Sequence, residues 1–345
     1  MPLELHEPSL RHIELLFSRR KRPMPQRNRS QAMLPVGSQV VFNPHGTAPG
    51  IDLTVPNSTG GTCRIFCLPG VPAEMKEMWK AEVMPRIVES LGPHRKPIHF
   101  HTVKIFGIGE SDVEARLPDL ISRDRFPRVG ITVSQATISL RIVAEAASAA
   151  EFESLIASTN QEIHAALGNL IFGSGEDEIQ DAVCRLLAGA ELRLAVLEIG
   201  PAAQCAEAMF SGSRSRPQTF AGCVAFPGVE SAVKSMTTVS ESLRLMQGPP
   251  DSASDPAGVY LWLAEAARCM FSADIGLAFG PYPRIDDPVQ VASASDIHFA
   301  VAGDAIRSGY DLRSMGGHPD VIHSRIAKTA LDIVRLKLLD VNTPI

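Results

Sequence analysis

From Leu170 to Leu339 the sequence alternates short apolar runs with segments of helical periodicity. A chain patterned this way can bury its strands only under helices on both faces of a sheet. Strands are predicted at Leu170–Phe172, Leu192–Leu197, Phe220–Phe226, Ile275–Phe279, Val289–Ala294 and His298–Ala302. A helix with Ile179, Val183, Leu186 and Leu187 on one face precedes the second strand, and others are predicted near Ala202–Phe210, Val259–Phe271 and Pro319–Leu339. The last carries Val321, Ile322, Ile326, Leu331 and Val334 on one side and closes an α/β fold. The Gly/Pro-rich stretch from Gly248 to Pro256 belongs on its surface.

Upstream, Pro97–Val143 reads as a compact unit. His99–Ile105 alternates as a strand, a capping box at Ser111–Glu114 opens a helix through Ile121, and strands follow near Arg128–Val133 and Thr137–Ala144. A second capping box, Ser148–Glu151, starts a helix bearing Phe152, Leu155, Ile156 and Ile163 that stops at Gly168. His99 and His101 share a strand face, and without a third ligand a solvated face is expected there rather than a metal site. Before this unit, Ser9–Arg22 has helical spacing and ends in Arg19-Arg20-Lys21-Arg22, cations that match the negative end of a helix dipole. Strands are predicted at Ser38–Phe42 and Arg64–Leu68, and a helix at Ala73–Leu91 with Met75, Met78, Trp79 and Val83 inward.

The length of 345 residues implies two or three domains. A net charge of −5 gives no overall pull toward nucleic acid or membrane, and the absence of an 18-residue apolar run or a basic leader leads us to expect a soluble cytoplasmic protein. Six scattered cysteines make no disulfide framework, and Cys184, Cys205, Cys223 and Cys269 are expected as small buried side chains.

Two strand-to-turn segments carry the binding chemistry. Asn43-Pro44-His45-Gly46-Thr47-Ala48-Pro49-Gly50 and Leu68-Pro69-Gly70-Val71-Pro72-Ala73-Glu74-Met75 leave backbone N–H groups free to hold a phosphate, the second at a helix start. The ligand-binding candidates are Asn43, Gly46, Thr47, Gly50, Pro69, Gly70 and Glu74. These segments, with Gln31-Ala32 and Leu34-Pro35 before them, resemble the second half of the amino-terminal domain of CinA proteins, a domain similar to the MoaB/Mog molybdopterin-binding fold. The resemblance implies a partial MoaB/Mog-like α/β domain at 1–95, a small α+β KH-like domain with its connecting helix at 96–170, and an α/β CinA carboxy-terminal domain at 171–345. It also implies metal-dependent cleavage of ADP-ribose for the first domain and deamidation of nicotinamide mononucleotide for the last. The opening strands, glycine loop and paired aspartates of relatives have no counterpart. Half a parallel sheet is then expected to be poorly ordered, completed by a partner or rearranged, or the start to lie further upstream. The KH-like loop Gly107-Ile108-Gly109-Glu110-Ser111-Asp112 is acidic where RNA-gripping loops are basic, so no nucleic acid is expected.

Deamidases of the resembled family carry Glu-Ser-Cys-Thr-Gly-Gly after a strand, where this chain has Glu198-Ile199-Gly200-Pro201-Ala202-Ala203. Isoleucine cannot attack an amide, Pro201 removes a backbone donor, and the paired glycines are gone. Phe226-Pro227 replaces Tyr-Ser, and the expected lysine falls near Ser231 with Lys234 three residues late. Phe279-Gly280-Pro281 shortens a loop, Gln290 follows Pro288-Val289, and His318 and His323 stand near expected arginines. The remaining catalytic candidates are Glu198, Cys205 and Lys234, with Cys205 and Glu198 expected chiefly as structural groups. The leading expectation is a catalytically impaired deamidase relative acting as a nucleotide-binding or assembly component. It would bind a pyridine or adenine nucleotide, form a homo-oligomer, and need neither cofactor nor metal. The rival is a metal-dependent nucleotide pyrophosphatase at the amino-terminal loops, needing a divalent metal for which Glu74 and Asp52 are the available carboxylates; residual amidohydrolase activity is the other alternative.

Overall fold

The computed structural model describes residues 1–58, 60–92, 97–122, 124–200, 203–243, 246–251, 254–283, 285 and 292–341. They form two compact units, Met1–Lys96 and Pro97–Ile345.

In the first unit β1 (Leu3–Leu5) leads into α1 (Glu7–Arg19), whose start is capped by the His6 side chain accepting from Ser9 N–H. The helix buries Leu10, Ile13 and Leu16, and Arg19 sits in its last turn. β2 (Met33–Pro35) pairs antiparallel with β1. β3 (Gln39–Val41), β4 (Gly50–Pro56) and β5 (Thr62–Cys67) form an antiparallel sheet, followed by α2 (Pro72–Met78) and α3 (Met84–Leu91). This corrects the expected parallel half-sheet: β4, overlooked as a strand, lies between the two predicted ones and satisfies both. The helix predicted at Ala73–Leu91 is broken by a π turn at Trp79–Val83, whose extra residue per turn changes the facing direction. Trp79 is consequently exposed, not inward, while Met78 and Val83 are buried.

The second unit opens with β6 (Ile98–Ile105), α4 (Glu110–Arg116), β7 (Arg128–Ser134), β8 (Thr137–Glu145), α5 (Ala149–Leu167) and β9 (Ile171–Ser174). The strands make an antiparallel sheet ordered β7-β8-β6-β9, and α4 and α5 press Val113, Phe152, Ile156 and Ile163 onto one face. Ser148 caps α5 as expected, but α4 starts earlier than its predicted box, with Gly109 at the cap and no side-chain bond. His99 lies on the covered face, its ring stacked on Phe152 at 5.4 Å, while Ile98 and Phe100 point outward. The expected solvated histidine face is thus the opposite face of β6.

There follow α6 (Ile179–Gly189), β10 (Leu194–Ile199), α7 (Gln204–Gly212), β11 (Phe220–Phe226), α8 (Val229–Leu243), α9 (Pro256–Met270), β12 (Ile275–Gly280), β13 (Ala292–Ala302), β14 (Gly309–Gly317) and α10 (Pro319–Val341). The sheet order is β11-β10-β12-β13-β14, parallel across β11, β10 and β12 and antiparallel beyond. Every residue of β10 is buried, because α6, α7 and α10 cover one face and α8 and α9 the other. Leu194 and Val196 join the first layer; Ala195, Leu197 and Ile199 join the second. α9 approaches closely: a Cβ on Gly276 would stand 1.9 Å from the Ala264 carbonyl oxygen, so only glycine fits there. The two strands predicted at Val289–Ala294 and His298–Ala302 are one from Ala292 onward, the earlier residues lying outside those described. No described helix is long and apolar enough to cross a membrane.

α10 ties this sheet to the smaller one. Lys328 Nζ donates to Thr137 Oγ1 at 2.8 Å and Glu178 Oε2 at 2.9 Å. Arg335, 2% exposed, donates to Asp332 at 2.7 Å and to the Asn169 carbonyl at 2.6 Å. Replacing Arg335→Met strands a buried carboxylate and an acceptor, so urea denaturation should show a loss of about 3–5 kcal/mol. A midpoint unchanged from the parent would show that this tie carries no stability.

Candidate functional site

In the first unit Asn43, 2% exposed, organises the turn that follows β3. Its Oδ1 accepts from Gly46 N–H at 2.9 Å and His45 N–H at 3.2 Å, while Nδ2 donates to the Ala48 carbonyl at 2.9 Å and Glu74 Oε2 at 2.8 Å. An Asx side chain bonding its own loop holds a turn that the backbone alone would not. A Cβ on Gly46 would stand 2.2 Å from Glu74 Oε2 and 2.5 Å from Asn43 Nδ2, so a larger residue would displace the bond between those two side chains. Asn43, Gly46 and Thr47 line a cavity of about 100 Å³ with His6, the cap of α1, and with Ser9 and His12 of that helix. The Nε2 of His12 is enclosed there without a partner among the described residues.

Of the other predicted binding residues, Gly50 is buried against Leu68, Met78 and Val41 and so serves packing. Pro69 is half-buried and Gly70 exposed, and neither lines the cavity. Asp52 gives both carboxylate oxygens to arginine: Arg64 binds at 2.9 and 2.7 Å and Arg86 at 3.1 Å. Arg64 foremost holds its carboxyl below the ordinary value, against the opposing effect of burial. His6, Ser9 and His12 escaped the sequence reading because helical periodicity was followed only on the apolar side of α1. Their spacing of three residues was the available signal.

In the second unit the turn from β10 to α7 is occupied by Glu198, fully buried on the α7 side. Its carboxylate accepts from the N–H groups of Gln204 at 3.0 Å, Cys205 at 3.2 Å and Ala206 at 3.4 Å, and from the Tyr282 hydroxyl. Burial pushes this carboxyl above its ordinary value, and the four donors oppose that shift. Ile199 points the opposite way, into the apolar layer that contains Ala232, Val259 and Tyr260. Cys205 is fully buried, and desolvation, then the charge of Glu198, drives its thiol far up, away from the reactive thiolate. Lys234 is exposed on α8, in the layer across the sheet from Glu198. His323 reaches the Pro283 carbonyl at 3.2 Å and lies edge-on to Tyr282 at 5.0 Å. Pro201, Ala202 and Pro288–Gln290 lie outside the described residues. Tyr282 was missed because its role depends on a partner 84 residues away.

Residues 101–173 match the family model described as the KH domain of the damage-inducible protein CinA, and residues 1–89 the one described as a probable molybdopterin binding domain. The chain is 31% identical to a competence-damage inducible protein of Symbiobacterium thermophilum, over 98% of its own length and 79% of the relative's. It is 30% identical to a CinA-like protein of Gloeobacter violaceus, over 99% and 77% respectively. Among solved structures, a CinA superfamily protein from Escherichia coli covers 46% of this chain and 88% of its own, at 18% identity and a TM-score of 0.35.

Tyr282→Phe removes one donor from the ionised Glu198. Folding raises this carboxyl above its ordinary value, so the group's contribution is full below the unfolded value of 4.5 and falls as pH rises through the raised folded one. The substitution raises that folded value further. Its cost in urea denaturation should therefore be about 1.5–3 kcal/mol at neutral pH and smaller near about pH 4. A pH-independent cost would mean that the hydroxyl does not act through the carboxylate.

Proposed function

Since the chain belongs to the CinA family of competence/damage-inducible proteins, we propose that it is a member whose carboxy-terminal domain has given up amide hydrolysis and that it works as a ligand-binding or assembly component. The observation that carries this reading is the pair Glu198–Ile199 at the end of β10. Amide hydrolysis at this turn needs a nucleophile and backbone donors for an oxyanion. The side chain after Glu198 is an alkyl group packed into the apolar layer, and the first N–H groups of α7 are taken by Glu198 itself. Loss of one oxyanion donor alone costs about 10²–10³ in rate. Cys205 offers no replacement, having neither exposure nor an ionised thiol.

The cavity beside Asn43, Gly46 and Thr47, at about 100 Å³, is too small for a whole nucleotide, and the N–H groups of His45 and Gly46 expected to be free for a phosphate are held by Asn43, so a nucleotide ligand stays in the proposal on the family resemblance alone. Against a metal-dependent pyrophosphatase stand the two arginines on Asp52 and the bond from Asn43 to Glu74, which engage the carboxylates a divalent ion would need. A homo-oligomer is part of the proposal.

The test is ammonia release from nicotinamide mononucleotide by the purified chain, with Cys205→Ala alongside. The expected result is no release above buffer from either protein. Sustained turnover would overturn the reading, and its survival in the Cys205→Ala variant would exclude that thiol as the nucleophile.

A further inference from the structure

The two units differ in charge. Met1–Lys96 carries 13 Lys and Arg against 8 Asp and Glu, and Pro97–Ile345 carries 20 against 30, so the net −5 of the whole chain hides a basic first unit. Its excess is gathered in one place. From Leu15 to Ile51 there is no Asp or Glu, while Arg19, Arg20, Lys21, Arg22, Arg27 and Arg29 all stand exposed. The described ion pairs of this unit are His45–Glu77, Asp52 with Arg64 and Arg86, and Arg86–Glu82, and none draws on those six cations.

The fold holds the six on one lobe. α1 ends at Arg19, and the chain reverses through Lys21, whose N–H donates to the Ser18 carbonyl at 2.9 Å while Arg22 N–H donates to the Phe17 carbonyl at 3.1 Å. Lys21 sits at a φ of +51°, where glycine is the usual residue of a helix end, so a charged side chain is kept at a position that disfavours one. A 3₁₀ helix, Gln26–Ala32, then packs back on α1, with Ala32 and Met24 against Leu10 and Ile13, and this return brings Arg27 and Arg29 onto the same lobe. A helix end carries about half a negative charge. Arg19 in the last turn answers it, and the other five cations are in excess.

Unpaired cations gathered this closely attract a polyanion. Between Ser18 and Gln31 the one apolar side chain besides the prolines is Met24, half-buried against α1, so the lobe has no apolar wedge for a bilayer surface. It also has no aromatic side chain to anchor a protein partner or to stack an unpaired base. We propose that this lobe binds the phosphate backbone of double-stranded nucleic acid without reading its sequence. The surface draws on neither the Glu198 turn nor the acidic loop Gly107–Asp112, both of which belong to the other unit.

Fluorescence anisotropy of a labelled DNA duplex of arbitrary sequence, titrated with the full chain, is the test. Saturable binding is expected, and neutralisation of about four phosphates would make affinity fall about a hundredfold between about 50 and 200 mM salt. Arg27→Gln with Arg29→Gln should weaken binding about tenfold and flatten the logarithmic salt slope by about 1.8. Lys76→Gln with Lys80→Gln, which neutralises two exposed cations outside the lobe, should leave affinity and slope as in the parent, with both double variants folded by circular dichroism. Absence of salt-dependent binding, equal losses in the two double variants, tighter binding of the separated single strand, or stronger capture by phosphatidylglycerol vesicles at equal phosphate concentration would overturn the proposal. Ammonia release is a separate readout, so the deamidation reading can fail while this one stands.

Discussion

The second unit depends on a buried carboxylate placed on the end of a helix. α7 starts with N–H groups that have no partner within the helix, and two of its first residues, Cys205 and Ala206, are buried from water. Glu198 answers three of them, with the Tyr282 hydroxyl as a fourth donor. Moving a charge out of water costs several kcal/mol, which direct donors and the positive end of the dipole offset. That role needs no substrate. It explains why a glutamate stands here although the side chains around it carry none of the chemistry of an amide-cleaving turn.

The same sheet shows how side-chain size sets the distance of a covering helix. At the start of β12, Gly276 lets the α9 backbone approach the strand, and Ala195, Ala278, Ala300 and Ala302 keep that layer thin. At the other end, Tyr260 stands between the first turn of α9 and His298 of β13, and an opening lies beside it. Small residues bring the helix down at one end and an aromatic pair occupies the other.

Much of this architecture was legible in the residues. β12 and, Glu198 apart, β10 are apolar runs, as a strand buried on both faces must be, and β11 is as apolar although half-buried at the sheet edge. β14 was not legible: an edge strand with Asp311, Arg313 and Ser314 has little apolar surface to announce it. α8 escaped for a related reason, since Val229–Leu243 is rich in Ser, Thr and Val, which are weak helix formers held here by packing of Ala232 and Met236. In the first unit the Gly46 turn was visible, but Gly50 and Gly70 looked equivalent to it. What separates them is tertiary: Gly46 faces Glu74, Gly50 faces Met78, and Gly70 faces open space. The inward assignment of Trp79 failed on a single π turn, a feature with no local signature in periodicity.

At the end of β10 the period of two decides chemistry. Successive residues of a strand face opposite layers, so Glu198 and Ile199 could not serve one site even if both were reactive. The even position looks to α7 and is consumed there in helix capping. The odd position looks to the α8–α9 layer, where Ile199 joins Ala232, Val259 and Tyr260 in the core. An alkyl side chain at that position is spent on packing and offers nothing to a substrate.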